Sequence, residues 1–193
     1  MEELKRLLKM ELGFLPEGDG MDTLLRRGEW LHLPPKSIII EAGKKVSDIF
    51  LVRDGIIRFS DMDGDKERTF AFALPGTMIQ SKHSFVMHMP SYYQVETCCD
   101  STILRIREDD FWDVVNTDHE LTKWMLHYAY GELFFQEYKY SNIHNGTAKE
   151  RFKAMLRDRP AIVETVPQRI IASYLGITPE YFSFLKRQVV RDR

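Results

Sequence analysis

The sequence predicts a chain of the α+β class: an N-terminal antiparallel β-roll or jelly roll (a double-stranded β-helix) flanked by helices, then a long helix, then a C-terminal helix-turn-helix. Three observations carry this. Between Trp30 and Ile106, short β-rich runs are cut by turns about every eight to twelve residues, with no long helical period between them. After Arg107 the apolar period becomes helical. Near the C-terminus, Val166 to Arg187 reads as two short helices about a Gly176-Ile177 turn.

Composition sets the outer limits. A chain of 193 residues, 44% hydrophobic and 29% charged, can bury one good core, or one plus a small appendage. Met1 to Met10 carries charges through its apolar positions, which excludes a signal peptide or membrane span there and makes a cytoplasmic location the default. The two cysteines are adjacent, Cys98 and Cys99. Neighbouring strand residues point to opposite faces, so they are expected to be reduced and buried rather than bridged. Two cysteines also cannot supply the four ligands of an iron–sulfur cluster within one chain. The net charge of −2 hides an asymmetry: residues 145–193 hold ten Lys/Arg and five Asp/Glu, hence +5, which leaves −7 for residues 1–144. A basic C-terminal module beside an acidic body suits a nucleic-acid-binding unit joined to one with another task.

The elements follow in order. Glu2 to Arg27 is a helical lead-in, with Leu4, Leu7, Leu8, Met21, Leu24 and Leu25 as apolar contacts around a break at Pro16–Gly20. Expected strands are Ser37–Glu41, Asp48–Arg53, Ile56–Asp61, Arg68–Ala73, Gln94–Cys99 and Ser101–Ile106, with a hairpin turn at Asp54-Gly55 and further turns at Ala42–Lys45, Asp63–Asp65 and Pro75-Gly76. Glu108–Asn116 is a short helix. A longer one is expected from about His119 to Ser141, with Asp118 as its cap. Leu121, Trp124, Met125, Tyr128, Gly131, Phe135 and Tyr138 form one stripe along it, while Leu126, Tyr130 and Phe134 lie round the other side. A helix apolar on two sides must be covered on both, by the sheet domain on one and by a second copy of the same helix on the other, unless both covers are intramolecular. His144–Thr147 is a break. Ala148–Leu156 is an amphipathic helix with Phe152, Met155 and Leu156 inside, and Ala161–Thr165 is a link. The domains expected are thus 1–117, 118–144 and 145–193.

In the last of these, Pro167 suits a first helical turn, Ile170, Ile171, Tyr174 and Leu175 form the apolar face, and Gly176 supplies the left-handed residue that ends the helix. Thr178 then caps a second helix, with Pro179 at its first position, Glu180 at its positive end, and Phe182, Leu185 and Val189 buried. Such a unit places its second helix in a DNA major groove, although the same pattern also serves as a packing hairpin in small α-domains. The residues it would present to base edges are Thr178, Pro179, Glu180, Tyr181 and Ser183, with Lys186, Arg187 and Arg191 further along; Gln168, Arg169, Lys186 and Arg187 would hold phosphates.

This order of parts resembles the CRP/FNR family of bacterial transcription regulators, in particular the short branch common in Bacteroidetes. The resemblance covers nearly the whole chain. It rests on Gly43 before Ile49-Phe-Leu-Val-Arg-Asp-Gly-Ile-Ile-Arg58, which looks like a family hairpin, and on Ala148-Lys-Glu-Arg-Phe152, Val166-Pro167 and Ile171-Ala-Ser-Tyr-Leu-Gly-Ile-Thr-Pro-Glu180. It implies a cyclic-nucleotide-binding-like effector domain, a homodimer through the long helix (Leu121, Trp124, Met125, Tyr128, Phe135), double-stranded DNA as partner and RNA polymerase as a further candidate. The function it implies is a regulator whose roll senses an unidentified small molecule, not an enzyme. Glu180 falls where the family often keeps an acid, but Pro179 and Phe184 fall where cyclic-AMP-type members place arginines that read guanine. The sequence also stops at Arg193, leaving little room for the β-hairpin wing expected from longer members.

In nucleotide-binding members a helix N-terminus, a glutamate and an arginine cradle the cyclic phosphate. The matching runs here are Gly76–Phe85 and Pro90–Glu96, which place Ile79, Gln80, Ser81, Ser91, Tyr92 and Tyr93 at the pocket. Gln80 or Ser81 stands near the expected glutamate, and Ser91-Tyr92 replaces the arginine-serine pair. Canonical cyclic AMP binding is therefore disfavoured, with Lys82 and Arg68 the only substitute cations in prospect. His83 and His88, five apart in an expected loop, have poor spacing for a metal and are assigned to surface or packing. Two other readings compete: a regulator of this kind that has lost ligand or sequence-specific DNA binding and acts through protein contacts, and, more remotely, a cupin-type β-roll enzyme, for which no convergent ligand set or acid–base pair is visible.

Overall fold

A computed structural model describes residues 1–143 and 146–191. Two helices, α1 (Glu2–Leu12) and α2 (Gly20–Arg26), lead into β1 (Glu29–Leu33), β2 (Ile38–Ile40), β3 (Ile49–Asp54), β4 (Ile57–Asp63), β5 (Lys66–Ala73) and β6 (Met78–Ile79). Then come α3 (Lys82–Met87), β7 (Gln94–Thr97), β8 (Ser101–Ile106), α4 (Glu108–Val115), α5 (His119–Ile143), α6 (Ala148–Asp158), α7 (Pro160–Thr165), α8 (Gln168–Tyr174) and α9 (Pro179–Arg191). The strands form two antiparallel sheets, ordered β1-β8-β3-β6 and β2-β7-β4-β5.

Alternation along the strands builds the layers. Ile49 and Leu51 of β3, with Leu104 and Ile106 of β8, face out of the first sheet into a core shared with Leu4, Leu8, Leu24, Leu25, Phe111, Val115, Leu121 and Trp124. The alternate residues Phe50, Val52 and Ile103 face inward and fill the roll with Ile40, Ile57, Ile79, Tyr93 and Val95. A third core belongs to the C-terminal helices, and Ile56 and Phe72 of the roll join it from the outer face of the second sheet.

The hairpin expected at Asp54-Gly55 does not form. β3 is buried on both faces through Ile49–Val52 and is paired on both sides, by β8 and β6, which leaves β4 no edge to join. The chain instead steps to the second sheet at Gly55, whose φ of 98° favours glycine and where a Cβ would collide with Ser101. The true hairpin is β4–β5, closing where Asp63 faces Lys66.

Smaller differences have local causes. Gly20 opens α2 instead of belonging to the break. β7 ends at Thr97, so Cys98 and Cys99 lie beyond it as half-buried free thiols, not as buried strand residues. His83 lies in α3 and His88 is its left-handed C-cap, where a loop was expected. Residues 160–165, expected to be a link, are α7, opened by Pro160 at its first position. Thr147 caps α6 through a reciprocal capping box with Glu150, while the break expected at His144 and Asn145 lies outside the described residues.

The stripe on α5 divides in two. Leu121, Trp124 and Tyr128 are buried and Met125 half-buried, because the first turns lie over the lead-in helices and the first sheet; Tyr128 Oη donates to Met78 O at 3.0 Å. Past Tyr128 that cover ends. Phe135, expected in the same stripe, is 45% exposed, and Tyr130, Leu133 and Phe134 are 65%, 60% and 68% exposed. The side chain of Tyr138 lies outside the described residues.

Candidate functional site

The C-terminal unit is assembled by local rules. α8 buries Ile170, Ile171, Ala172 and Leu175 and ends at Gly176, whose φ is 67°. The Gly176 amide donates to Ser173 O and the Ile177 amide to Ala172 O, both at 3.0 Å, which together satisfy the last carbonyls in a Schellman pattern. Pro167, expected in the first turn, is the residue before it, with ψ of 137°. Thr178 Oγ1 accepts from the Tyr181 amide at 3.2 Å and starts α9. Phe182, Leu185 and Val189 are buried, with Phe182 edge-on to Phe152 at 5.0 Å. Arg151 of α6 fixes the turn from behind, donating to Leu175 O at 2.8 Å and to Gly146 O at 2.6 Å.

Opposite that buried face the expected contact residues come to the surface. Gln168, Arg169, Thr178, Pro179, Glu180, Tyr181, Ser183 and Arg187 are exposed and Lys186 is half-buried. The start of α8 and the first turns of α9 meet: Ser183 Oγ donates to Pro179 O at 3.0 Å, with Gln168 Oε1 at 3.4 Å. The side chain of Arg191 lies outside the described residues. Sequence reasoning treated Phe184 only as a departure from a family arginine, yet its ring is 47% exposed and lies 6.2 Å from that of Tyr181, 29° from parallel. The spacing Glu180, Phe184, Arg187, opposite Phe182, Leu185 and Val189, was the signal that could have found it.

This unit is docked on the roll. Ser173 Oγ accepts from the Thr69 amide at 2.9 Å and donates to Glu67 O at 3.3 Å, and Tyr174 packs on Phe72 at 5.1 Å. Beside them on the outer face of the second sheet, Arg58 is 7% exposed and donates to Glu96 at 2.8 Å and to Glu67 at 2.9 Å. Burial works against its charge, and the two carboxylates outweigh that, so its pKa is raised further. Burial also pushes the nearby Cys98 thiol up to about 12.

The expected effector pocket is filled by the chain itself. Tyr93 is 6% exposed, and its ring sits 5.8 Å from Phe59 and 5.6 Å from Phe70, with Ile79 fully buried in the same core. Tyr93 Oη donates to Gln80 O at 2.8 Å, and burial pushes the phenol up to about 12. Ser81 is occupied in capping α3, accepting from the Ser84 amide at 3.2 Å, and Ser91 Oγ donates to Tyr93 O at 2.8 Å. Tyr92, expected to line the pocket, is 66% exposed, because Tyr93 takes the inward place and its neighbour must face out. Gln80 Oε1 is buried with no hydrogen-bond partner. The prospective substitute cations are engaged elsewhere, Lys82 with Glu132 and Arg68 with Asp61, each at 2.7 Å. A cyclic phosphate therefore meets no free countercharge among these residues. His83 Nδ1 lies 2.8 Å from Pro90 O, and His88 3.8 Å from Glu108. Among the described residues no group of three or more His, Cys, Asp or Glu could hold a metal ion, and no helix is long and apolar enough to cross a membrane.

Residues 30–118 match the family model of the cyclic nucleotide-binding domain. The chain is similar in structure to FixK2 from Bradyrhizobium japonicum, with a TM-score of 0.71 at 19% identity over 86% of this chain and 85% of that one. It is similar to the c-di-GMP responsive global regulator CLP from Xanthomonas campestris, with a TM-score of 0.68 at 14% identity over 90% and 91%. The catabolite activator protein from Thermus thermophilus matches with a TM-score of 0.58 at 16% identity over 96% and 87%. No curated protein matches the sequence. The fold is thus the one these structures share, a roll that matches the cyclic nucleotide-binding domain model followed by C-terminal helices.

Proposed function

We propose that this chain, whose residues 30–118 carry the cyclic nucleotide-binding domain, is a homodimeric DNA-binding transcription regulator in which residues 145–193 bind DNA, 118–144 pair two copies and 1–117 respond to a small effector. The observation that carries the reading is the α8-turn-α9 unit, capped and packed as a helix-turn-helix, which turns its buried face to α6 and leaves Glu180, Phe184 and Arg187 outward. The exposed half of α5 supports pairing: Tyr130, Leu133 and Phe134 form an apolar surface continuous with a helix that is otherwise core. The structurally similar CLP from Xanthomonas campestris is a c-di-GMP responsive regulator, which supports a sensing role for the roll.

The effector is not read here as cyclic AMP. Tyr93 is packed into the core beside Gln80; Ser81 and Ser91 are spent on local structure; and Lys82 and Arg68 are paired with Glu132 and Asp61. An effector of this roll must displace Tyr93 and present a group that satisfies the buried Gln80 Oε1, which calls for a hydrogen-bond donor on a largely apolar body. Sensing would then follow from differential affinity for two arrangements of the dimer.

Fluorescence anisotropy tests the core of the reading. Duplexes selected by the protein from a random library are expected to bind at low salt in preference to scrambled duplexes of the same composition. Equal binding to both would overturn sequence-specific regulation and favour the version of the protein that acts through protein contacts.

A further inference from the structure

We infer that α9 reads the C5-methyl group of a thymine in each operator half-site through Phe184, flanked by Tyr181; this rests on the DNA-binding reading above. The stripe at the centre of the exposed face of α9 is Glu180, Phe184 and Arg187, at i, i+4 and i+7, directly opposite the buried Phe182, Leu185 and Val189. Phe184 thus stands between Glu180 at the start of the helix and Arg187. Two aromatic rings held 6.2 Å apart and 47% and 48% exposed are an unusual surface for a helix whose surroundings are basic.

The surroundings identify the occupant. Arg169 at the start of α8 and Lys186 and Arg187 on α9 share the surface of this unit with the pair, and none of them forms an ion pair with a described carboxylate, so two exposed rings lie among cations left for an outside partner. That arrangement matches a major groove, with phosphates at the edges and base edges in the middle. Within the groove, thymine alone among the four bases of unmodified DNA presents a methyl group, and phenylalanine has no hydrogen-bonding atom with which to read any other edge. Glu180, one turn earlier, accepts only, which suits the N4 amino group of cytosine. Ser183 is drawn back to Pro179 O and Gln168, toward the α8 side, and so leaves the groove-facing centre to the ring.

The test replaces thymine with deoxyuridine at one selected position at a time, which removes a methyl group and leaves every hydrogen-bonding edge unchanged. Selection from a random duplex library first defines the preferred site, and anisotropy then gives affinities for the full-length protein. The expected result is one thymine per half-site whose replacement weakens binding about fourfold, and about fifteenfold when both half-sites are changed. Phe184→Ala, a change at an exposed position that leaves the core intact, should bind thymine and deoxyuridine sites equally. Wild-type protein that prefers the selected site over a scrambled one yet binds both versions equally would overturn this inference and leave the DNA-binding reading standing. Loss of any preference for the selected site would overturn both. A deoxyuridine penalty that persists unchanged in Phe184→Ala would place the methyl contact elsewhere and overturn the assignment.

Discussion

Replacing Lys186 and Arg187 together by alanine should flatten the salt dependence of DNA binding by about two-thirds, since counterion release scales with the phosphates neutralised. The structure puts Arg169, Lys186 and Arg187 at the protein surface around the outward face of α9, none paired with a described carboxylate. On the proposed dimer, three cations per subunit would make about six phosphate contacts, and log affinity should fall against log salt with a slope of about −5. Raising salt from about 50 to about 200 mM then weakens binding on the order of a thousandfold. The double variant keeps about two contacts, a slope of about −2, and loses only about tenfold over the same range. Anisotropy titrations at four or five salt concentrations measure both slopes directly. A wild-type slope near half the expected value would mean one subunit engages DNA. Equal slopes for wild type and variant would refute the assignment of these side chains to phosphates.

Three further outcomes are expected. Tyr130→Glu with Leu133→Glu places charge in the bare half of α5 and should convert a species of twice the 22.7 kDa chain mass to monomer in sedimentation velocity, with an unchanged far-ultraviolet spectrum because both positions are exposed. An unshifted dimer would put the interface elsewhere. Burial raises the Tyr93 phenol to about 12 from an ordinary 10.0, so the neutral form is favoured by folding: that contribution is complete below pH 10 and disappears as pH climbs toward 12. Absorbance titration of wild type against Tyr93→Phe should show the missing transition near that upper value, and a difference centred at pH 10 would contradict the packed position. Thr147→Ala should cost about 1 kcal/mol in chemical denaturation by removing the α6 cap. The partner Glu150 is held below its ordinary 4.5 mainly by the Thr147 amide, so the cap is intact above that pH and is lost as pH falls through the depressed value; Glu150→Gln should remove that acid dependence.

Much of this was legible in the sequence because it is written in short-range rules. The Thr178-Pro179 start, the Gly176 stop and the spacing of Phe182, Leu185 and Val189 are local, and α9 follows from them. The roll was legible as turn-punctuated strands, but not which strands pair. Asp54-Gly55 has the composition of a hairpin turn, yet β3 is a central strand with both edges taken, a fact that depends on β6 and β8 far along the chain. The stripe of α5 read as one surface because a helical period continues past the end of its cover; only the position of Met78 and the lead-in helices shows that burial stops near Tyr128. At the pocket, Tyr92 and Tyr93 are indistinguishable as neighbours in sequence. The pleat decides which one enters, and the ring of Phe70 opposite decides that it is held there.

The β4–β5 hairpin ties these regions together physically. On its inner side Phe59 and Phe70 pack against Tyr93, at the place where an effector would have to enter. On its outer side Glu67, Thr69 and Phe72 hold Ser173 and Tyr174 of α8, while Arg58 links Glu96 of β7 to Glu67 of β5 across the same sheet. Interiors packed to crystal density transmit a displaced ring as movement of its neighbours instead of absorbing it. A ligand that pushed Tyr93 aside would remove the support of two rings on strands whose other face carries α8. Coupling requires an element that both sites bias, and here the two sites lie on opposite faces of one two-stranded ribbon. On the proposed function, the departure from cyclic phosphate chemistry at Ser81, Ser91 and Tyr93 therefore leaves a contact route from the roll to α8 in place.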